Sequence, residues 1–227
     1  MIWYLSYGSN LNKDRFMKYI IGGSLNARAT NKKHHGCRDP TPPKSHLFTF
    51  LPHVELYFAR QSLSWQNGGV CFIRENYKGG GTIARMYLIT KEQFVDVVGQ
   101  ENRLSQDYIT KTLEPKVDGF LNNLDGDKTL SNTFFMSSLL PTSTYYDNLV
   151  FLGYRDGFPI LSFTSSEINQ PSVRPSENYI RTIFKGMMES NEYTLPQCVG
   201  YLIEKSGVRN QYDQKELLNV VTTEINT

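Results

Sequence analysis

Ile2-Trp3-Tyr4-Leu5-Ser6-Tyr7-Gly8-Ser9-Asn10-Leu11 opens the chain with a hydrophobic run that stops at a glycine. From Ile2 to Tyr7 both alternating faces are apolar, the pattern of a strand buried in the middle of a sheet. The run breaks at Gly8-Ser9-Asn10, and Asn10 can cap a helix. Phe16, Met17, Ile20 and Ile21 then recur at three- and four-residue intervals, which predicts a short amphipathic helix closed by Gly22-Gly23. The opening unit is therefore strand, tight turn, helix.

Further along, β-branched and aromatic residues dominate from Leu47 to Arg60 and again from Gly69 to Arg74, separated by the polar, turn-rich stretch Gln61 to Gly68. Gly79-Gly80-Gly81 punctuates before a further strand, Thr82 to Ile89. Thr90 and Gln93 form a capping box for a helix with Phe94, Val97 and Val98 on one face, up to Gly99. Strands in succession with single short helices between them give an α+β fold around a mixed sheet. From Asn122 to Gln170 the pattern is least regular, with strands expected at Phe134-Phe135-Met136 and Leu149 to Leu152. After Pro175 it turns helical: Tyr179, Ile180, Ile183, Phe184 and Met187 share a face, Thr194 with Gln197 and Asp213 with Glu216 offer two more capping boxes, and Gly207 a stop.

Composition narrows the function. The 227 residues, 39 % hydrophobic, suffice for one domain, or one with an appendage. No apolar run approaches the roughly 20 residues that cross a bilayer, and no basic region precedes the first strand, so a cytoplasmic protein with no membrane partner is expected. A formal charge of +2 gives no broad footprint for nucleic acid, and the short cluster Lys32-Lys33-His34-His35 with Arg38 reads as a solvated loop. Cys37, Cys71 and Cys198 lack CxxC pairing and read as reduced, partly buried thiols; His34 and His35 are adjacent and cannot share a helix face, so no metal site is expected.

Two places could carry chemistry. A strand that turns into a helix through Tyr7-Gly8-Ser9-Asn10 presents backbone N–H groups at the helix start, suited to a carboxylate or an oxyanion, with Gly8 permitting close approach and Ser9 and Asn10 adding polar side chains. The same residue types also serve any structural turn. Glu101 falls seven residues after Phe94 and four after Val97, on the inward stripe if the helical path persists, where desolvation would make it a better proton acceptor. If Gly99 breaks the helix, Glu101 sits in a solvated loop instead. Ser9 is not in a GxSxG elbow, and Gly79-Gly80-Gly81 lacks the tail of a P-loop.

Tyr7-Gly8-Ser9-Asn10-Leu11 resembles the YGSNL signature of the γ-glutamylcyclotransferase-like proteins. Trp65-Gln66-Asn67-Gly68-Gly69-Val70 resembles that family's tryptophan and double-glycine element, with a residue or two inserted; Glu101 matches its catalytic glutamate and Tyr108 a pocket tyrosine. Pro175-Ser176, Tyr179, Ile183, Gly186 and Glu189 recur at the spacing of the γ-glutamylcyclotransferases proper, with Tyr179 beside the pocket. The resemblance implies a mixed β-sheet or barrel with short helices, one domain over 1–227 with a helical portion about 172–227, and no cofactor or metal. It also implies a small-molecule γ-glutamyl substrate, cyclised to 5-oxoproline with Glu101 as general acid/base and Tyr7 to Leu11, Tyr108 and Tyr179 at the substrate. Leu113 to Gln170, the Trp65 insertion and the segment after Leu202 depart from the family pattern. Two alternatives stay open: a cyclotransferase for γ-glutamyl-amine metabolites or crosslinks, and a binding or regulatory protein that keeps the pocket without turnover. The sequence does not set the oligomeric state.

Overall fold

A computed structural model describes residues 1–24, 33–76, 80–125, 134–142 and 144–223. Lys32 of the basic cluster and Gly79 of the glycine run lie outside them. Along the chain run β1 (Ile2–Ser6), a 3-10 turn (Ser9–Leu11), α1 (Lys13–Ile21), β2 (Gly23–Ser24), β3 (Lys33–His34), β4 (Ser45–Leu51) and β5 (Val54–Ser62). There follow β6 (Gly68–Glu75), β7 (Thr82–Ile89), α2 (Lys91–Glu101), α3 (Gln106–Tyr108), a π-turn (Ile109–Leu113) and α4 (Glu114–Asp125). The last elements are β8 (Phe135–Ser138), β9 (Asn148–Arg155), β10 (Phe158–Thr164), α5 (Glu177–Met188), α6 (Leu195–Ile203) and α7 (Gln214–Thr222). The fold is α+β with a mixed sheet, short helices and a helical C-terminal portion. Two compact units, each assembled from three stretches of sequence, divide the chain.

The first unit takes Met1–Leu5, Met17–Leu47 and Met86–Ser166. The six-stranded sheet has the order β4-β7-β1-β10-β9-β8, of which β8, β9 and β10 lie wholly within this unit. β1 pairs in parallel with β10, Trp3 opposite Ile160 and Tyr4 opposite Leu161, while β10–β9 and β9–β8 are antiparallel. β1 is buried along its whole length, as a run apolar on both faces requires. Tyr4 shows why: its ring stacks on Phe163 at 5.5 Å and meets Phe94 of α2 at 6.0 Å. The Thr90–Gln93 capping box starts α2, and Phe94, Val97 and Val98 are fully buried. Gly99 does not end this helix, which runs on to Glu101. A Cβ on Gly99 would lie 2.3 Å from Ile109 Cδ1, so the glycine answers to packing against the π-turn and not to a need to stop.

The second unit takes Ser6–Phe16, Phe48–Arg85 and Glu167–Thr227. Its hairpin, β5 with β6, is antiparallel from Val54 opposite Glu75 to Ser62 opposite Gly68. Pro52 and His53 turn the chain, so the run expected from Leu47 to Arg60 is two strands. The C-terminal residues dock on β5 through main-chain bonds: Val173 N–H donates to Phe58 O at 2.9 Å, and Phe58 N–H to Ser206 O at 2.8 Å. Those bonds, made on one residue by segments before and after α5 and α6, attach the helical tail to the hairpin. Ser176 caps α5, and the face predicted from Tyr179, Ile180, Ile183, Phe184 and Met187 is buried. Asp213 caps α7, its carboxylate accepting from Glu216 N–H at 2.7 Å. Gly207 is not the end of α6, which stops at Ile203; it turns the chain at φ 96° against Phe58, where a Cβ would lie 2.7 Å from Phe58 Cβ.

Lys205 is buried in this unit. Its Nζ donates to the carbonyls of Gly80 and Gly81, the latter at 2.7 Å, and lies 3.9 Å from the centre of the Tyr201 ring. Burial pushes its pKa down from 10.5 to about 8. Between those values the unfolded chain holds a proton that the folded chain has lost, so the cost of burying the charge is felt in full below about 8 and is relieved as pH rises toward 10.5. The wild type is expected to gain about 2 kcal/mol of stability relative to Lys205→Met from about pH 7.5 to 9.5 in urea titrations. A constant difference would show that Lys205 titrates in the fold as it does in water.

Candidate functional site

The turn after β1 is built before α1 begins. Gly8 precedes a single 3-10 turn in which Leu11 N–H bonds Gly8 O at 3.0 Å and Asn12 N–H bonds Ser9 O at 3.2 Å. That extra turn moves the helix start two residues on, so Asn12, not Asn10, caps α1: its Oδ1 accepts from Arg15 N–H at 2.9 Å. Tyr7, Ser9, Asn10 and Leu11 are buried.

Three distant stretches of the second unit converge here. Tyr179, in the first turn of α5, has its hydroxyl 3.1 Å from where a Cβ on Gly8 would stand, and that hydroxyl accepts from Cys71 N–H at 3.1 Å. Trp65 lies against the same ring at 4.6 Å between centroids. Arg15 closes the other side, its guanidinium 4.8 Å from the centre of Trp65 and its Nε donating to Ser9 Oγ at 2.7 Å. The double glycine has a steric cause. A Cβ on Gly68 would lie 2.3 Å from Ser176 N and one on Gly69 2.3 Å from Val173 O, so the extended segment leading into α5 lies directly on the start of β6.

Burial pushes the Tyr179 hydroxyl well above the ordinary tyrosine range, and the Cys71 thiol rises for the same reason. Both stay protonated at neutral pH, so Tyr179 acts as a neutral hydrogen-bonding group and Cys71 is no nucleophile. None of Cys37, Cys71 and Cys198 is in a disulfide. Tyr179→Phe removes the only hydrogen-bonding atom of that side chain and strands the buried Cys71 N–H, an expected loss of about 1–3 kcal/mol in denaturant unfolding. A change under about 0.5 kcal/mol would mean that the bond contributes nothing.

The Leu11 end of the turn is held by residues that the motif reading did not assign a role. Arg85, 2 % exposed, donates through Nη1 to Leu11 O at 2.9 Å and pairs with Glu189. Glu189 Oε1 accepts from Asn12 Nδ2 at 2.8 Å and from Lys13 N–H at 3.2 Å. A signal for Arg85 existed: a charge inside the apolar strand Thr82-Ile83-Ala84-Arg85-Met86-Tyr87-Leu88-Ile89 needs a buried partner.

Glu101 and Tyr108 belong to the first unit. Glu101 is half-buried, the last residue of α2, between two tethered neighbours. Gln100 Nε2 donates to Tyr19 O at 3.0 Å. Asn102 makes a two-way bond with Tyr146, Nδ2 to the carbonyl at 3.1 Å and Oδ1 from the N–H at 3.0 Å. The backbone that carries the carboxylate is thereby held on both sides. Tyr108, also half-buried, ends α3, which Ser105 caps. Thus Tyr7 to Leu11 and Tyr179 come together within one unit, and Glu101 and Tyr108 lie in the other. Among the described residues no three His, Cys, Asp or Glu side chains group as metal ligands, and no helix is long and apolar enough to cross a membrane.

No family model matches the chain. "Histone deacetylase 5" of Arabidopsis thaliana is 31 % identical over 213 residues, a match that covers 88 % of this chain and 30 % of that protein. The chain therefore spans less than a third of the curated relative's length. Among solved structures, a γ-glutamyl cyclotransferase superposes with a TM-score of 0.44 at 14 % identity, 98 % of each chain being covered. An uncharacterised human protein gives 0.45 at 16 % identity, over 97 % of this chain and 98 % of its own. A yeast γ-glutamyl cyclotransferase specific to glutathione gives 0.31 at 10 % identity, over 98 % of this chain and 96 % of its own.

Proposed function

We propose that the protein is a γ-glutamylcyclotransferase-like enzyme that acts on a small γ-glutamyl compound, with Glu101 as general acid/base. The observation that supports this most is the meeting of three motif stretches around Gly8: the turn itself, the Trp65 and double-glycine element, and the first turn of α5 with Tyr179. In the reaction, the α-amino nitrogen of the γ-glutamyl group attacks its own γ-carbonyl carbon, and the bond to the leaving amine breaks. 5-Oxoproline and a free amine result. Glu101 takes a proton from the α-ammonium and returns one to the leaving nitrogen, so it is regenerated each cycle. Main-chain N–H groups at Gly8 to Asn10 of the turn hold the anionic end of the substrate and the oxygen on which charge develops. Folding the substrate so that nucleophile and carbonyl lie in a five-membered geometry supplies rate through proximity.

The plant relative's name belongs to a protein more than three times as long as the matched part, and nothing in the proposed chemistry comes from it. The test is release of 5-oxoproline by purified protein from a panel of γ-glutamyl amino acids, γ-glutamyl amines and γ-glutamyl-lysine, followed by mass spectrometry. Release from one class names the leaving group. Thermal stabilisation by a panel member with no product would instead favour a binding protein.

A further inference from the structure

We infer that Arg85 and Glu189 are positioning residues for substrate, a clamp with one buried and one solvent-facing arm that holds the Gly8–Leu11 turn by its exit. The inference rests on the cyclotransferase reading of that turn. Arg85 projects from β7 and is 2 % exposed, with its guanidinium 4.9 Å from the centre of the Phe48 ring. One nitrogen, Nη1, both donates to Leu11 O at 2.9 Å and pairs with Glu189. Glu189 reaches the same exit from the C-terminal cap of α5, taking Asn12 Nδ2 at 2.8 Å and Lys13 N–H at 3.2 Å. Leu11, Asn12 and Lys13 are thus gripped one after another, by a cation on the carbonyl and an anion on the amide groups. Asn12 ties the grip to α1, because its Oδ1 caps that helix through Arg15 N–H. The carboxylate also sits at the positive end of α1.

Stability alone does not account for such a pair. The buried Arg85 guanidinium loses hydration that its attraction to the partly exposed Glu189 carboxylate repays only in good geometry, and a hydrophobic replacement of a buried charge is often no worse. Geometry is what the pair secures. The amide groups of a turn recognise an anion only while they keep one conformation, and the clamp acts on the main-chain atoms that end this one. Sequence order supports a single device, since the α5 residue that grips the turn lies one helix length beyond Tyr179, whose hydroxyl abuts Gly8 at the other end of the turn.

The test uses Glu189→Gln and Arg85→Lys in the full chain. With a γ-glutamyl substrate that the wild type turns over, KM is expected to rise about tenfold, with kcat of the folded protein within about twofold. A purely structural role would lower the active fraction, hence apparent kcat, and leave KM alone. Amide hydrogen exchange gives a readout independent of turnover: Gly8 to Leu11 should exchange at least about tenfold faster in Glu189→Gln, while β5 and β6 keep wild-type protection. Where Glu189→Gln does not fold, Glu189→Asp keeps the charge on a shorter arm, and its exchange pattern decides. Unchanged KM in an otherwise active series, or exchange that quickens evenly over the fold, overturns the clamp. A wild type that releases no 5-oxoproline overturns the functional reading and with it the substrate role, and exchange at the turn then decides whether the clamp exists.

Discussion

Glu101→Gln is expected to release 5-oxoproline at least about a hundredfold more slowly than the wild type, within the range of about 10²–10⁴ that a positioned general acid/base supplies. Glutamine has the same shape but accepts no proton at neutral pH, so it removes the proton transfer while keeping the side chain's volume. Where the residue sits makes this interpretable. It ends α2 half-buried, with Gln100 bonded to Tyr19 O and Asn102 bonded both ways to Tyr146. Those bonds belong to the neighbours and survive the substitution. KM should change less than kcat, because the missing interaction is made in the transition state. Equal rates for the two proteins would remove Glu101 from the mechanism; a loss matched by partial unfolding would make it structural.

Gly186→Ala should destabilise the protein by about 3 kcal/mol, the upper part of the overpacking range, with a fall in Tm of about 6–12 °C. A Cβ at this position would stand 2.3 Å from Asn12 N and 2.4 Å from Leu11 C. Both are backbone atoms of the clamped turn, so no side-chain rotation relieves the clash, and α5 must move off the turn. Helix propensity acts the other way by about 1 kcal/mol, since alanine suits a helix interior better than glycine, and packing outweighs it. Gly200 supplies the control: it lies within α6 with nothing inside 4 Å of its added Cβ. Gly200→Ala should gain up to about 1 kcal/mol from propensity alone. If the two substitutions gave the same urea midpoint shift, α5 would not lie against the turn as described.

Several elements were legible because their cause is local. The run Ile2 to Tyr7 needed only its alternation to read as a buried strand, and Phe94, Val97 and Val98 needed only helical spacing to define a buried face. Capping residues Thr90, Thr194 and Asp213 act within one turn of themselves, so their helices start where the sequence places them. Glycines were harder, because local rules treat them as stops. Gly99 lies inside α2 for the sake of Ile109, and Gly207 turns the chain past the end of α6. β10 has no local signature for a related reason: Phe158–Thr164 is a strand through its pairing with β1 and β9, and β1 lies far from it in sequence.

By itself the sequence determined the strand-turn-helix opening, the amphipathic faces of α2 and α5, the caps at Thr90, Thr194 and Asp213, and the order and spacing of the Gly8, Trp65, Glu101 and Tyr179 motifs. Those follow from interactions among residues a few positions apart, which a one-dimensional pattern records. Only the tertiary structure decided that the hydroxyl of Tyr179 lies against Gly8, that Gly68 and Gly69 make room for Val173 and Ser176, and that Arg85 and Glu189 grip Leu11 to Lys13. Each of these contacts joins segments about 70 or more residues apart. Such contacts form when distant stretches pack together to bury their apolar faces, and no local spacing encodes which side chain then meets which backbone.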